Sequence, residues 1–397
     1  MFIEVPFAGV GSGRAELTWG QRAMVQAMAR EDSWLPMGGC RALPPGTTLS
    51  EVAASLRYTM ERWQSFRTLF RGGMQEVVAS GVARFEVVVS LASGSGVSAL
   101  AASVEARYRA AAPDLASDWP MRMAVVCRDG VPVEMVAVMP HLVTDGLGAA
   151  IMVDESTRRV PTPPVGLQPL DIAAWQQGPQ GVRQHAGARR HFARHADGLE
   201  GFASVVASPR YRKCLLESPS LAARLPVAAA RFGTDESTVL LAAYFVALSR
   251  ISGRSRLGVR QVVSNRFRGG LSDVVSPLTQ LGLCVVDVPS SFPEAVAAVA
   301  RAALPARKYA YYDPLDIPLL ATPCFNDRRT VSTTSFGAER APGPGVLTFS
   351  AQAGPTEPLF LHVDAVPDGL RLIFDFDTGC FSADSVALLA GLIEELV

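Results

Sequence analysis

Three residues separate His141 from Asp145-Gly146, in the stretch Met139-Pro140-His141-Leu142-Val143-Thr144-Asp145-Gly146. Imidazole has an unperturbed pKa close to neutrality, so it can take a proton from an attacking amine or hydroxyl. That makes His141 the first candidate for a general base, set against a purely structural histidine at a strand end. His191 and His195 are four apart, a spacing that could bind a metal on one helix face. No third ligand accompanies them, and Arg189, Arg190 and Arg194 would repel a cation, so the reading is a solvated basic face and no metal. Gly9-Val10-Gly11-Ser12-Gly13 lacks a preceding strand and the spacing of a dinucleotide loop, and reads as a flexible N-terminal segment. No G-x-S-x-G is present, and Ser335-Phe336-Gly337 reads as ordinary turn residues.

The elements around His141 would hold it in place. Met121–Cys127 and Val131–Met139 are β-branched-rich runs joined through Arg128-Asp129-Gly130, a strong hairpin signal. After the motif, Leu147, Ile151 and Met152 begin a helical face running to Glu155. His141 therefore falls on a turn between strand and helix. Upstream, a short helix is expected through Met28, and Thr48-Leu49-Ser50-Glu51 forms a capping box opening a helix to Arg62 and on to Phe66. Arg84–Ser90 reads as a strand and Val97–Ala111 as an amphipathic helix. Val160–Gly166 carries three prolines and is the best linker, which divides the chain into 1–160 and 161–397.

In the second half, Asp171 to about Gly198 reads as a polar helical segment, and Ser237–Ile251 as a buried helix stopped by Gly253. Strands are expected at Leu257–Ser264, Leu283–Val288 and Val346–Ser350, and in a hairpin of Leu359–Val366 with Leu370–Asp377. Ser291-Phe292-Pro293-Glu294 opens another helix with a second capping box, and a last helix follows Ser382. Each half has a hairpin closed by Asp-Gly and a helix after it, a weak internal repeat.

Length and charge narrow the class. With 397 residues, 49% hydrophobic and 19% charged, the chain can bury two moderate cores. Net charge is zero, which argues against nucleic acid as the main partner. Six widely spaced cysteines, Cys40, Cys127, Cys214, Cys284, Cys324 and Cys380, include no C-x-x-C and read as reduced, mostly buried thiols. No segment has the length of a bilayer span and the N-terminus lacks a signal pattern, so no membrane partner and a cytoplasmic location are expected.

Five segments in order resemble the condensation domains of nonribosomal peptide synthetases, within the chloramphenicol acetyltransferase-like superfamily. Leu17-Thr18-Trp19-Gly20-Gln21 is similar to the opening L-T-x-x-Q, and Arg62–Phe70 to R-H-E-x-L-R-T-x-F. The His141 segment is similar to the central motif. Asn265-Arg266 with Val275–Gln280 is similar to N-R … I-G-x-F-x-N, with Ser276 and Gln280 in place of Gly and Asn. Phe374–Asp377 through Phe381-Ser382 is similar to the closing strand and helix.

The resemblance implies an α/β (α+β sandwich) fold, two lobes forming a V-shaped pseudo-dimer with a tunnel between them. It implies a stand-alone enzyme of secondary metabolism that moves an acyl or aminoacyl group from a carrier-protein thioester to an amine or hydroxyl. The donor is the phosphopantetheine arm of an acyl or peptidyl carrier protein acting in trans, or coenzyme A, with no permanently bound cofactor. The Arg- and His-bearing helix could dock that acidic carrier. The acceptor is a small-molecule or carrier-bound amine or alcohol. His141 would be general base or acceptor-positioning group, and Asp145, paired with Arg266, would hold the loop. Gly146 would permit a close backbone approach that a Cβ would block. Pro140 departs from the family's His-His and weakens the case for peptide-bond formation. It favours a coenzyme A-dependent O- or N-acyltransferase of the same fold, and, with Ser276 and Gln280, a non-catalytic condensation-like recruitment domain.

Overall fold

The computed structural model describes residues 1–90, 95–318, 320–330, 345–352, 354 and 357–397. The chain divides into two compact units. The first comprises Met1–Val182 with Arg266–Leu278; the second comprises Arg183–Asn265 and the described residues after Leu278. The expected boundary at residues 160 and 161 differs from this division. The linker is tied down at its start, where Tyr58 Oη donates to Val160 O and Arg62 Nη1 to Thr162 O. The chain then stays with the first unit until Val182.

The first unit contains β1 (Phe2–Ala8), β2 (Gly13–Glu16), α1 (Trp19–Glu31), β3 (Pro36–Ala42) and α2 (Leu49–Arg62). There follow β4 (Thr68–Arg71), β5 (Met74–Val77), β6 (Ser80–Ser90), α3 (Ser95–Ala110), β7 (Arg122–Arg128), β8 (Val131–Pro140), α4 (Gly146–Arg158) and α5 (Pro169–Gln177). A five-stranded sheet runs β1-β6-β7-β8-β3, antiparallel except at β6–β7, and β2-β5-β4 form a second, small sheet. Side chains alternate across the large sheet, as a period of two requires. Met123, Val125 and Cys127 join the core with α2, while Ala124 and Val126 join the core with α3. Because both faces are covered, β7 reads as a continuous apolar run.

The β7–β8 hairpin turns at Asp129 and Gly130, with φ of 51° and 79°, the left-handed pair that Asp-Gly favours. Thr48 and Glu51 cap α2 reciprocally. This helix stops at Arg62, earlier than expected: Trp63 is extended, and a 3-10 turn takes Gln64–Arg67.

From Pro179 the chain forms α6 (Pro179–Ala196), β9 (Tyr211–Ser218), α7 (Pro219–Phe232), α8 (Glu236–Ser252), β10 (Arg256–Val263), β11 (Gln280–Asp287) and α9 (Phe292–Lys308). Then come β12 (Cys324–Asp327), β13 (Thr348–Ala351), β14 (Leu359–Val366), β15 (Gly369–Asp377) and α10 (Ala383–Leu396). The single helical segment expected from Asp171 is two helices, broken at Gly178 before Pro179. The second unit's seven-stranded sheet runs β11-β10-β12-β14-β15-β9-β13. Its core is built on α8, buried from Thr238 to Leu248 and stopped by left-handed Gly253. The second hairpin turns at Pro367-Asp368, since Gly369 already pairs with Val366. At α9, Ser291 Oγ accepts from Glu294 N, but Ser291 Oγ is also what donates to the glutamate carboxylate; no reciprocal backbone cap forms. Among the described residues no helix is long and apolar enough to cross a membrane.

Candidate active site

β8 ends at Pro140, which lies opposite Pro36 of β3. Neither proline can donate to the ladder, so pairing stops there and the chain is free to turn. His141 N donates to Leu35 O at 3.0 Å, and Val143 N returns to Pro140 O at 3.1 Å. Leu142 and Val143 are buried at 2% and 1% exposure and anchor the turn in the core. His141 as a whole is half-buried. Its Nδ1 is buried and makes no hydrogen bond among the described residues. The imidazole is thus placed by its backbone, with no carboxylate bonded to it among the described residues.

Asp145 caps α4, its Oδ1 accepting from Gly148 N at 2.9 Å. Arg266 grips the same carboxylate from two sides: Nη1 reaches Oδ2 at 2.9 Å and Nη2 reaches Oδ1 at 2.7 Å. Leu278 N adds a further donor to Oδ2 at 3.0 Å. Asp145 is 2% exposed. Burial pushes its carboxyl upward, but the Arg266 guanidinium and the Gly148 and Leu278 N–H groups together outweigh this, so it sits below the usual carboxylate range. Asn265, in a left-handed conformation with φ 60°, turns the chain immediately before Arg266.

The segment carrying Arg266 is clasped along its length. Arg266 Nη2 donates to Val274 O at 2.9 Å and to Ser276 O at 3.4 Å, and Ser65 Oγ donates to Val275 O. Gly20 lies against Pro277 so closely that a Cβ there would fall 1.7 Å from its carbonyl oxygen. Four of the motif-bearing segments therefore meet within the first unit. Ser276 itself is fully buried, and its Oγ has no partner among the described residues. Gln280 bonds Tyr312 at both ends of its amide.

The close approach expected at Gly146 occurs at Gly148. Gly146 is exposed in the first turn of α4, whereas a Cβ on Gly148 would fall 2.3 Å from Thr144 Oγ1 and 3.0 Å from Arg266 Nη2. The reason is the Asp145 cap, which folds the third helical residue back toward the ion pair. The D-G-x-G spacing was the signal available for it.

The other candidates resolve as structure. His191 is buried, not solvated: its ring bonds Leu283 O at 2.9 Å and stacks on Tyr309. Burial holds it below the ordinary histidine range, the bond to Leu283 O only partly offsetting this. His195 Nδ1 bonds His191 O, while Arg189, Arg190 and Arg194 are exposed. Among the described residues, no three His, Cys, Asp or Glu side chains gather as metal ligands. The Gly9–Gly13 segment wraps on Arg67, a buried guanidinium that donates to Val10, Gly11 and Val78 carbonyls. It is held rather than loose. Ser335–Gly337 lie outside the described residues. The sequence reading also passed over His362, half-buried in β14 between Asp375 and Asn326.

No protein-family model and no curated protein matches the sequence. Solved structures do match. A condensation domain described in chain release from the enacyloxin polyketide synthase is 19% identical with a TM-score of 0.74, over 98% of this chain and 83% of that one. The X-domain from teicoplanin biosynthesis is 19% identical with a TM-score of 0.71, over 98% and 95%. SgcC5 from Streptomyces globisporus is 16% identical with a TM-score of 0.68, over 96% and 97%. At these identities the likeness speaks to architecture, and it spans nearly the whole chain: this protein has the condensation-domain fold.

Proposed function

We propose that the chain is an acyltransferase of the condensation type, with His141 as its catalytic residue. An amine or hydroxyl acceptor attacks the carbonyl of an acyl thioester on a carrier protein's phosphopantetheine. The new C–N or C–O bond forms and the C–S bond breaks. The acceptor's proton passes to His141 and on to the departing thiolate. Asp145 and Arg266 act as positioning residues that lock the start of α4. The observation that carries this reading is the half-buried His141, with its backbone bonded to Leu35 and its Nδ1 left without a partner among the described residues. A thioester is already activated, so a placed base contributes a meaningful share of the barrier, typically ~10²–10⁴-fold.

A second reading is recruitment without catalysis. It is favoured by Pro140 and by the similarity to the teicoplanin X-domain, which is described in complex with OxyB. Intact-mass spectrometry of acyl-carrier proteins and acyl-coenzyme A thioesters, each offered mixed amines and alcohols, separates the readings. Acyl loss with a matching product mass supports transfer and identifies the donor. Tight carrier binding with no acyl loss supports recruitment.

A further inference from the structure

The first unit encloses a second feature on the α2 and α4 side of its large sheet, a cavity of about 530 Å³. That is within the roughly 300–1,000 Å³ range of small-molecule sites. Its walls carry four methionines, Met121, Met123, Met135 and Met152, with Leu56 and Ala137. Thioether side chains are flexible and polarizable, and adapt to an irregular apolar guest.

Most of the hydroxyls in its walls are engaged within the protein. Thr59 Oγ1 bonds Ser55 O and Ser156 Oγ, Thr157 Oγ1 bonds Val153 O, and Thr47 Oγ1 bonds Pro44 O. The interior is left suited to hydrocarbon. The charge is at the edge, where Arg41 and Arg159 are exposed lining residues that form no salt bridge among the described residues. The one lining carboxylate, Glu51, is bonded to Thr48 N and Oγ1 at the start of α2. The edge therefore favours an anion.

The geometry points to a binding site for a linear acyl chain whose carboxylate faces Arg41 and Arg159. An acyl chain suits this cavity better than a heterocycle, whose polar atoms would meet walls that are largely apolar and most of whose hydroxyls are already bonded. The site stands apart from the chemistry proposed at His141 and can be tested without turnover.

The test is calorimetric titration of the full chain with decanoate, 1-decanol and decanoyl-pantetheine. Decanoate is expected to bind saturably and at least ten-fold more tightly than decanol. Ala137→Phe, which fills the cavity, should abolish binding. Leu43→Trp, on the lining segment just after β3, should do the same if Ala137→Phe does not fold. Arg41→Glu with Arg159→Glu should weaken decanoate ten-fold or more and leave the melting temperature unchanged. Decanoate binding with decanoyl-pantetheine at least ten-fold weaker upholds the free-acid site; decanoyl-pantetheine, which carries no carboxylate, binding as tightly as decanoate overturns it. Absence of saturable decanoate binding overturns the proposal. So does binding that survives both filling variants, or decanol binding as tightly as decanoate.

Discussion

Asp145→Ala removes the carboxylate that four N–H donors share. Arg266, with 9% of its side chain exposed, would keep its charge and lose its counter-ion. Breaking a buried pair in this way costs about 3–5 kcal/mol, and losing the α4 cap adds about 1 kcal/mol. The sum, about 4–6 kcal/mol, is a large part of a typical stability of about 5–15 kcal/mol. With a urea m-value of about 3 kcal/mol/M, the midpoint should fall by roughly 1.3–2 M. Asp145→Asn keeps a capping oxygen and should lose less. Urea unfolding followed by tryptophan fluorescence gives both numbers. A loss below about 1 kcal/mol for Asp145→Ala would refute the reasoning, because no buried pair can be that cheap to break.

The same pair sets a pH dependence. The folded-state pKa of Asp145 lies below its unfolded value. Its contribution is present above the unfolded value near 3.9 and is lost as pH falls through the folded one. Stability measured from pH 6 down to pH 2 should therefore fall less steeply in Asp145→Asn than in wild type. Gly148→Ala pushes a Cβ toward Thr144 and Arg266 and should cost about 1–3 kcal/mol as an overpacked site, measurable by thermal melting, while also lowering turnover. Gly20→Ala meets the Pro277 carbonyl, a rigid neighbour, and should reduce soluble folded yield more than Gly148→Ala does. Burial raises the Cys214 and Cys284 thiols to about 12, so a disulfide reagent at pH 8 should label neither before denaturant is added.

The parts of the fold that were legible are those whose signal is local. β7 and β8 announce themselves through β-branched-rich apolar runs and Asp-Gly, and α2 and α8 through caps and a glycine stop. β3 was not legible, since Pro-Met-Gly-Gly has little strand preference; its extended form comes from pairing with β8. The short strands β2, β4 and β5 form for the same non-local reason. At the site, His141 stood out through its spacing to Asp145. Arg266 lies 121 residues from Asp145, beyond any periodicity, and was reachable only through resemblance. Gly148 was masked by Gly146, because only the folded cap distinguishes which glycine meets the ion pair. His191 misled through its exposed arginine neighbours, since one turn of α6 carries both a buried and a solvated face.

The most direct test of the account is single-turnover acyl transfer with the donor the mass-spectrometric panel identifies, run on wild type and His141→Ala of matched melting temperature. The account predicts a fall of about 10²–10⁴-fold in the rate of acyl transfer in the variant, with donor binding retained. Equal transfer rates in the two proteins would contradict it.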